Sequence, residues 1–319
     1  AQAIAAALAT NSTLEELDLW GNPLIDLGKS ALLSAAKCKV FLELDPPPLP
    51  RGEPPPPELL GSRMRTVLFD WISQVHTGGN APVTLDGAPD PQDMLFRTFS
   101  HADAYLSRRQ VRRAEFQLYG CACTLVAAGL DGRGAAEMAA ELAGWLAFLT
   151  DGACTADQVC EAAEEVQRTL GFRLYQPTAY TFLRRYLRRT GWTEESFSLA
   201  NYLIELAAID SGFMEYRPQA IAAAAAILSR QYLSQGVGVQ RIPFWRAKLL
   251  RCSRLDLRQE LAPCAAAMAR LHASEHSRPS KFVSRKYEWA RLHMVAKIKP
   301  NPPPDAAFFV GYLSADHSA

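Results

Sequence analysis

The chain has 319 residues, 49% of them hydrophobic and 21% charged, with a formal net charge of +1. That composition is globular rather than disordered, and the length points to about two domains. So small a charge supplies no concentrated positive field for nucleic acid, and no run approaches the roughly 18 uncharged apolar residues of a membrane helix, so a partner must be found by shape.

Cys38, Cys121, Cys123, Cys154, Cys160, Cys252 and Cys264 form neither a CxxC pair nor a zinc-type spacing with histidine. Reduced, buried thiols of a nuclear or cytosolic protein are expected. The opening AQAIAAALA has no basic segment and no initiator Met, so no signal peptide is expected and the true N-terminus is read as missing.

Within residues 1–44, Leu14, Leu17, Leu19, Asn22 and Leu24 fill the leucine-rich-repeat spacing LxxLxLxxNxL. AIAAALATN before them reads as the end of a preceding repeat, and DLGKSALLSAAK after them as the helix of this one. A single repeat leaves its faces uncovered. Either a longer array has been cut, or the remnant leans on the rest, or one amphipathic helix follows a chance motif. Residues 45–58, DPPPLPRGEPPPPE, cannot sustain helix or ladder hydrogen bonds and are predicted to be a semi-rigid polyproline linker. Their PxxP spacing would also suit a proline-reading domain.

Beyond the linker the pattern is helical. Met64, Val67, Leu68, Trp71, Ile72 and Val75 recur at i, i+3, i+4, i+7, i+8 and i+11, which predicts an amphipathic helix over Met64–His76. The turn-rich TGGNAPVTLDGAPDPQ separates it from a second helix, Met94–Leu106. Ala114–Leu130 is apolar nearly all round and rich in Gly, Ala and Cys, so it should be the inner helix of a bundle. Thr155 is an N-cap candidate for a helix to Leu170, with Phe172 and Leu174 closing its end. Pro177 and Thr178 open a further helix that ends in Arg residues suited to a helix C-terminus. The plan then repeats: Leu199–Ile209 is followed by the small-residue run QAIAAAAAILSRQYL, a second inner helix.

The segments MRTVLFDW, DAYLS, QLYGCAC, TADQV, LGFRLYQPTAYTFLRRYL, LANYLIEL, EYRPQAIAAAA and KFVSRKYEWARLHMVAKIKP together, and in this order, resemble the cyclin family, closest to its mitotic type. The resemblance covers about Leu59 to Pro300. It implies a mainly α protein with an N-terminal cyclin box at 59–176, a C-terminal cyclin box at 177–300 and a tail at 301–319, preceded by the short α/β leucine-rich fragment. It also implies a regulatory subunit of nucleus and cytoplasm, with no cofactor and no chemistry of its own. Such a subunit binds and activates a cyclin-dependent protein kinase and docks Arg-x-Leu peptides of substrates or inhibitors.

By motif position, the resemblance assigns the docking groove to Met64, Val67, Leu68, Trp71, Gln74 and Gln117. Gln74 stands where the family has an acid that attracts the peptide's basic residue, which removes a charge-assisted contact of about 1.5–3 kcal/mol. Arg65 and Asp103 match a family ion pair that orients two helices. The kinase-facing positions are Gly129, Leu130, Ala163, Phe172 and Leu174, with Gly129 and Ala163 where the family has Lys and Glu. A slipped register would bring in Arg133 or Glu164 instead. Loss of both charged anchors keeps a second reading open: a cyclin-fold scaffold that binds proteins without activating a kinase. A third, a general transcription factor of cyclin fold, requires strong DNA binding, against which the net charge speaks.

No catalytic constellation emerges. His272 and His276 are spaced i, i+4 but have no third ligand, so no metal site is expected. The runs SRRQVRR and RRYLRR read as solvated helix ends rather than a nucleic-acid patch. Arg65 to Leu68 fits RxxL, but lies within the predicted helix and is not expected to serve as a degradation signal.

Overall fold

Residues 1–51 and 52–319 form two compact units. The computed structural model describes residues 2–12, 16–18, 34–35, 39–41, 62–77, 90–130, 135–171, 174, 176–233 and 242–300. In the first unit, α1 (Gln2–Thr10) buries Ala5 and Leu8. Strands β1 (Glu16–Asp18) and β2 (Lys39–Phe41) pair in parallel with Leu17 opposite Val40. Leu14, Leu19, Asn22 and Leu24 of the repeat spacing, and all of the linker 45–58, lie outside the described residues.

The described part of the second unit is helical. Its first bundle comprises α2 (Ser62–Thr77), α3 (Pro91–Leu106), α4 (Phe116–Ala128), α5 (Ala135–Phe148) and α6 (Ala156–Thr169). Its second comprises α7 (Ala179–Thr190), α8 (Glu194–Ile209), α9 (Pro218–Leu233), α10 (Ile242–Ser253) and α11 (Ala262–Ser277), followed by the short α12 (Phe282–Lys286). These are two tandem helical bundles. Each is wound round one inner helix: α4 packs against α2, α3, α5 and α6, and α9 against α7, α8, α10 and α11. The inner helices can be surrounded because their side chains are small. Gly120, Cys121, Ala122 and Cys123 of α4, and Ala220 and Ala222 to Ala226 of α9, are all buried, which lets neighbouring backbones approach closely.

Local chemistry sets the helix ends. Asp90 accepts from the Gln92 amide with Pro91 in the first turn, and Thr155, Thr178 and Thr193 each cap a helix through a reciprocal capping box. Several boundaries differ from the sequence reading. The inner helix expected over Ala114–Leu130 begins at Phe116, after a 3₁₀ turn at Arg113–Glu115, and stops at Gly129, whose φ of 60° is the left-handed cap that glycine supplies without a Cβ penalty. The helix expected from Leu199 starts at Glu194, because Thr193 caps it and the Glu194 and Glu195 carboxylates suit the positive end of the helix dipole. Helices α5, α10 and α11 were not assigned from the sequence, although the region was read as helical throughout.

Candidate functional site: the outer face of α2 and its supports

Helix α2 divides its apolar stripe between the core and the surface. Leu68, Phe69, Ile72 and Val75 are buried, Met64 and Trp71 are partly exposed, and Val67 is 56% exposed. Phe69 is the centre of the inner face: its ring stacks on Phe99 at 4.7 Å, and the Arg65 guanidinium lies 4.0 Å from its centroid. On the outer side, α2 meets α4 where α4 has no side chain. A Cβ on Gly120 would stand 3.1 Å from Trp71 Cζ3 and 3.2 Å from Leu68 Cδ1. Gln117, one turn earlier on α4, is partly exposed, and Gln74 is exposed. Val67 and Trp71 thus leave apolar surface on this side of α2 that can accept an aliphatic side chain, and Gln74 and Gln117 offer amide groups that can hydrogen-bond a peptide backbone.

The remaining acid of this stretch points elsewhere. Asp70 Oδ1 accepts the Phe282 amide at 2.7 Å, which fastens α12 to α2. Burial pushes the Asp70 carboxyl above its usual range, against the opposing pull of the Phe282 and Val283 amides and of Lys281.

Arg65 and Asp103 form a fork: Nε to Oδ1 is 2.7 Å and Nη2 to Oδ2 is 2.8 Å. Arg65 reaches further, donating from Nη1 to the Ile209 carbonyl at 3.1 Å and from Nη2 to the Ala208 carbonyl at 2.9 Å. It thus satisfies the C-terminal carbonyls of α8 and joins both bundles. Its side chain is 8% exposed, but that of Asp103 is 31% exposed, so the pair is not sealed from water.

The kinase-facing positions assigned by resemblance are spread differently. Gly129 and Leu130, at the end of α4, are partly exposed, and so is Leu174, whose carbonyl lies 2.8 Å from His101 Nε2. Phe172 lies outside the described residues. Ala163 is 6% exposed and lies among the buried residues of α6, with Val159, Ala162 and Val166. Its exposed neighbour is Glu164.

A second polar cluster escaped the sequence reading. Glu205 of α8 is fully buried and receives Lys286 Nζ at 2.8 and 2.9 Å, the Tyr287 hydroxyl at 3.1 Å, and Gln92 Nε2 of α3 at 3.0 Å. Burial, and then the Glu205 charge, hold the Tyr287 hydroxyl well above its ordinary pKa. A signal was present: one charge in the otherwise apolar LANYLIELAAI must find a cation, and the tail offers Lys286. Among the described residues, no group of three or more His, Cys, Asp or Glu gathers in a way that could hold a metal, and no helix is long and apolar enough to cross a membrane.

Comparison with known proteins agrees with this architecture. Residues 55–175 match the cyclin N-terminal domain and residues 177–301 the cyclin C-terminal domain. A G2/mitotic-specific cyclin-B2 of Oryzias latipes is 32% identical over 238 residues, covering 74% of this chain and 56% of that protein. Cyclin-A1-1 of Oryza sativa is 29% identical over 245 residues, covering 75% of this chain and 44% of that one. Cyclin-A2-3 of Arabidopsis thaliana is 34% identical over 177 residues, covering 54% and 36% respectively. A solved viral cyclin from herpesvirus saimiri superposes with a TM-score of 0.49 at 16% identity, over 66% of this chain and 87% of that one. The chain spans about half the length of the curated relatives it matches. With both domains matched in succession across the helical unit, the chain belongs to the cyclin family.

Proposed function

We propose that this chain is a cyclin-type regulatory subunit in cell-cycle control, which binds and activates a cyclin-dependent protein serine/threonine kinase and docks substrates or inhibitors on the outer face of α2. The observation that carries the docking half is the solvent-facing surface of Val67, Trp71 and Gln117, held in place by Gly120 beneath the indole. A leucine of an Arg-x-Leu-type peptide fits such a surface. Gln74 offers the peptide's arginine no charge, so that arginine adds little to affinity. Activation is population shift: contacts made only with the active kinase conformation draw its equilibrium toward that state. The subunit itself performs no chemistry, and it acts in nucleus and cytoplasm. Copurification with a cyclin-dependent kinase together with stimulated phosphorylation of a test substrate is the expected result; binding without stimulation overturns activation.

The second reading is a cyclin-fold scaffold without kinase activation, favoured by the glycine cap at 129 and the buried Ala163, neither of which supplies a charged anchor for a kinase. Glu164, next to Ala163 in sequence, is exposed. The two readings part on Leu130→Asp, which should abolish kinase copurification for an activating subunit and leave a scaffold's partners unchanged. In the first unit, the parallel pairing of β1 with β2 suits a leucine-rich-repeat fragment, since their spacing falls within the period of roughly 20–29 residues of such repeats.

A further inference from the structure

Ser280 lies in the short non-helical connection between α11 and α12 and is exposed. Its surroundings are basic on the outside, where Arg278 and Arg285 are exposed nearby in sequence, and acidic on the inside. The Ser280 hydroxyl donates to Glu275 Oε1 at 2.7 Å and its amide to Glu275 Oε2 at 3.1 Å. Lys281 Nζ and the Ser284 hydroxyl converge on the same carboxylate, the latter at 3.2 Å. Glu275 is 4% exposed. Although burial opposes it, the bonds from Lys281 and Ser280 hold this carboxyl below its usual range. Two residues beyond Ser280, the Phe282 amide is bound by Asp70, immediately before Trp71 on α2. A single short segment thus hangs between two carboxylates, one on α11 and one on the helix that carries the candidate docking surface.

We propose that Ser280 is a phosphorylation site, modified by a separate protein kinase that reads basic residues, and that its modification releases α12 from α2. In the transfer, the Ser280 oxygen forms a bond to the γ-phosphorus of a nucleoside triphosphate as the bond to the β-phosphate oxygen breaks. The hydroxyl proton passes to the modifying kinase's base, and the nucleoside diphosphate leaves. The product loses the hydroxyl donor and places a charge of roughly −1.5 to −2 beside the buried Glu275. The Ser280–Lys281 turn cannot then hold its position, because Lys281 cannot neutralise both anions at once, and the Phe282 amide is drawn off Asp70.

This device does not depend on the docking reading, and neither does its test. Phosphopeptide mass spectrometry of the full chain, isolated from dividing cells that make it, should find phosphate on Ser280. Hydrogen exchange of the purified chain should show the Phe282 and Val283 amides exchanging at least tenfold faster in Ser280→Glu than in the parent. Ser280→Ala, which keeps the amide bond and adds no charge, should change exchange less than threefold. An unmodified Ser280 in that material, unchanged exchange in Ser280→Glu, or equal effects of the two substitutions overturns the proposal.

Discussion

The first bundle's ion pair reaches into the second, and the second bundle's reaches into the first. Arg65 and Asp103 belong to α2 and α3, yet Arg65 also binds the last carbonyls of α8. Glu205 and Lys286 belong to α8 and α12, yet Gln92 of α3 completes the carboxylate's shell. Helix α8 is the seam in both cases. The difference is water: Asp103 keeps 31% of its side-chain surface exposed, whereas Glu205 keeps none. Losing Asp103 leaves Arg65 with the Ile209 and Ala208 carbonyls still accepting from it, whereas losing Lys286 strands a carboxylate with no cation, so the same chemistry should have unequal effects on stability.

The largest effect is expected from Lys286→Ala. It leaves the Glu205 charge buried, which costs about 3–5 kcal/mol, a fall of roughly 10 °C in a chain of this size. A Glu205→Leu, Lys286→Met double variant should lose much less; if it is as unstable as the single one, packing rather than charge is at stake. Asp103→Ala should cost less, about 1–3 kcal/mol, because Arg65 retains two carbonyl acceptors and some contact with water. An unchanged melting temperature would refute any role for that pair. Gly120→Ala should come next, at about 1 kcal/mol or less, since its Cβ stands 3.1 and 3.2 Å from the Trp71 and Leu68 side chains, which must shift, while the better helix propensity of alanine offsets part of that cost.

Protonation acts on the two bundles alike. Burial, then the nearby Lys286, pushes His76 of the first bundle down to about 3, and burial, then His276, pushes His272 of the second down to about 4. Both imidazoles stay neutral in the fold, while the unfolded chain binds protons from about pH 6.5 downward. The unfolded state thus holds more protons, and stability should fall as the pH drops from about 6.5 towards 4. Urea midpoints across that range check this, and His272→Gln should flatten the slope. The smallest effect on stability belongs to Val67→Asp: at an exposed position the melting temperature should barely move, while binding of a Leu-containing docking peptide weakens at least tenfold. A parallel loss of stability would show that Val67 serves the core instead.

Much of the fold could be read before any coordinates. The period of 3.6 placed α2, the small-residue runs marked α4 and α9 as inner helices, and Thr155 and Thr178 announced two helix starts, because each of these is a local property of the chain. The Arg65–Asp103 fork was accessible only through resemblance. The docking stripe was half legible: its spacing could not separate Leu68 and Ile72, which face inward, from Val67, which faces out, since that division depends on where α4 lies.

Sequence alone determined a helical chain in two similar halves, with small residues where helices must crowd, since periodicity, capping and side-chain volume act within a few residues of one another. Tertiary structure decided that Ala163 is buried, that Asp70 turns to Phe282, and that Glu205 meets Lys286 across 81 positions of chain. Contacts between distant residues are chosen by how whole helices pack, and the resulting desolvation decides which charges must pair.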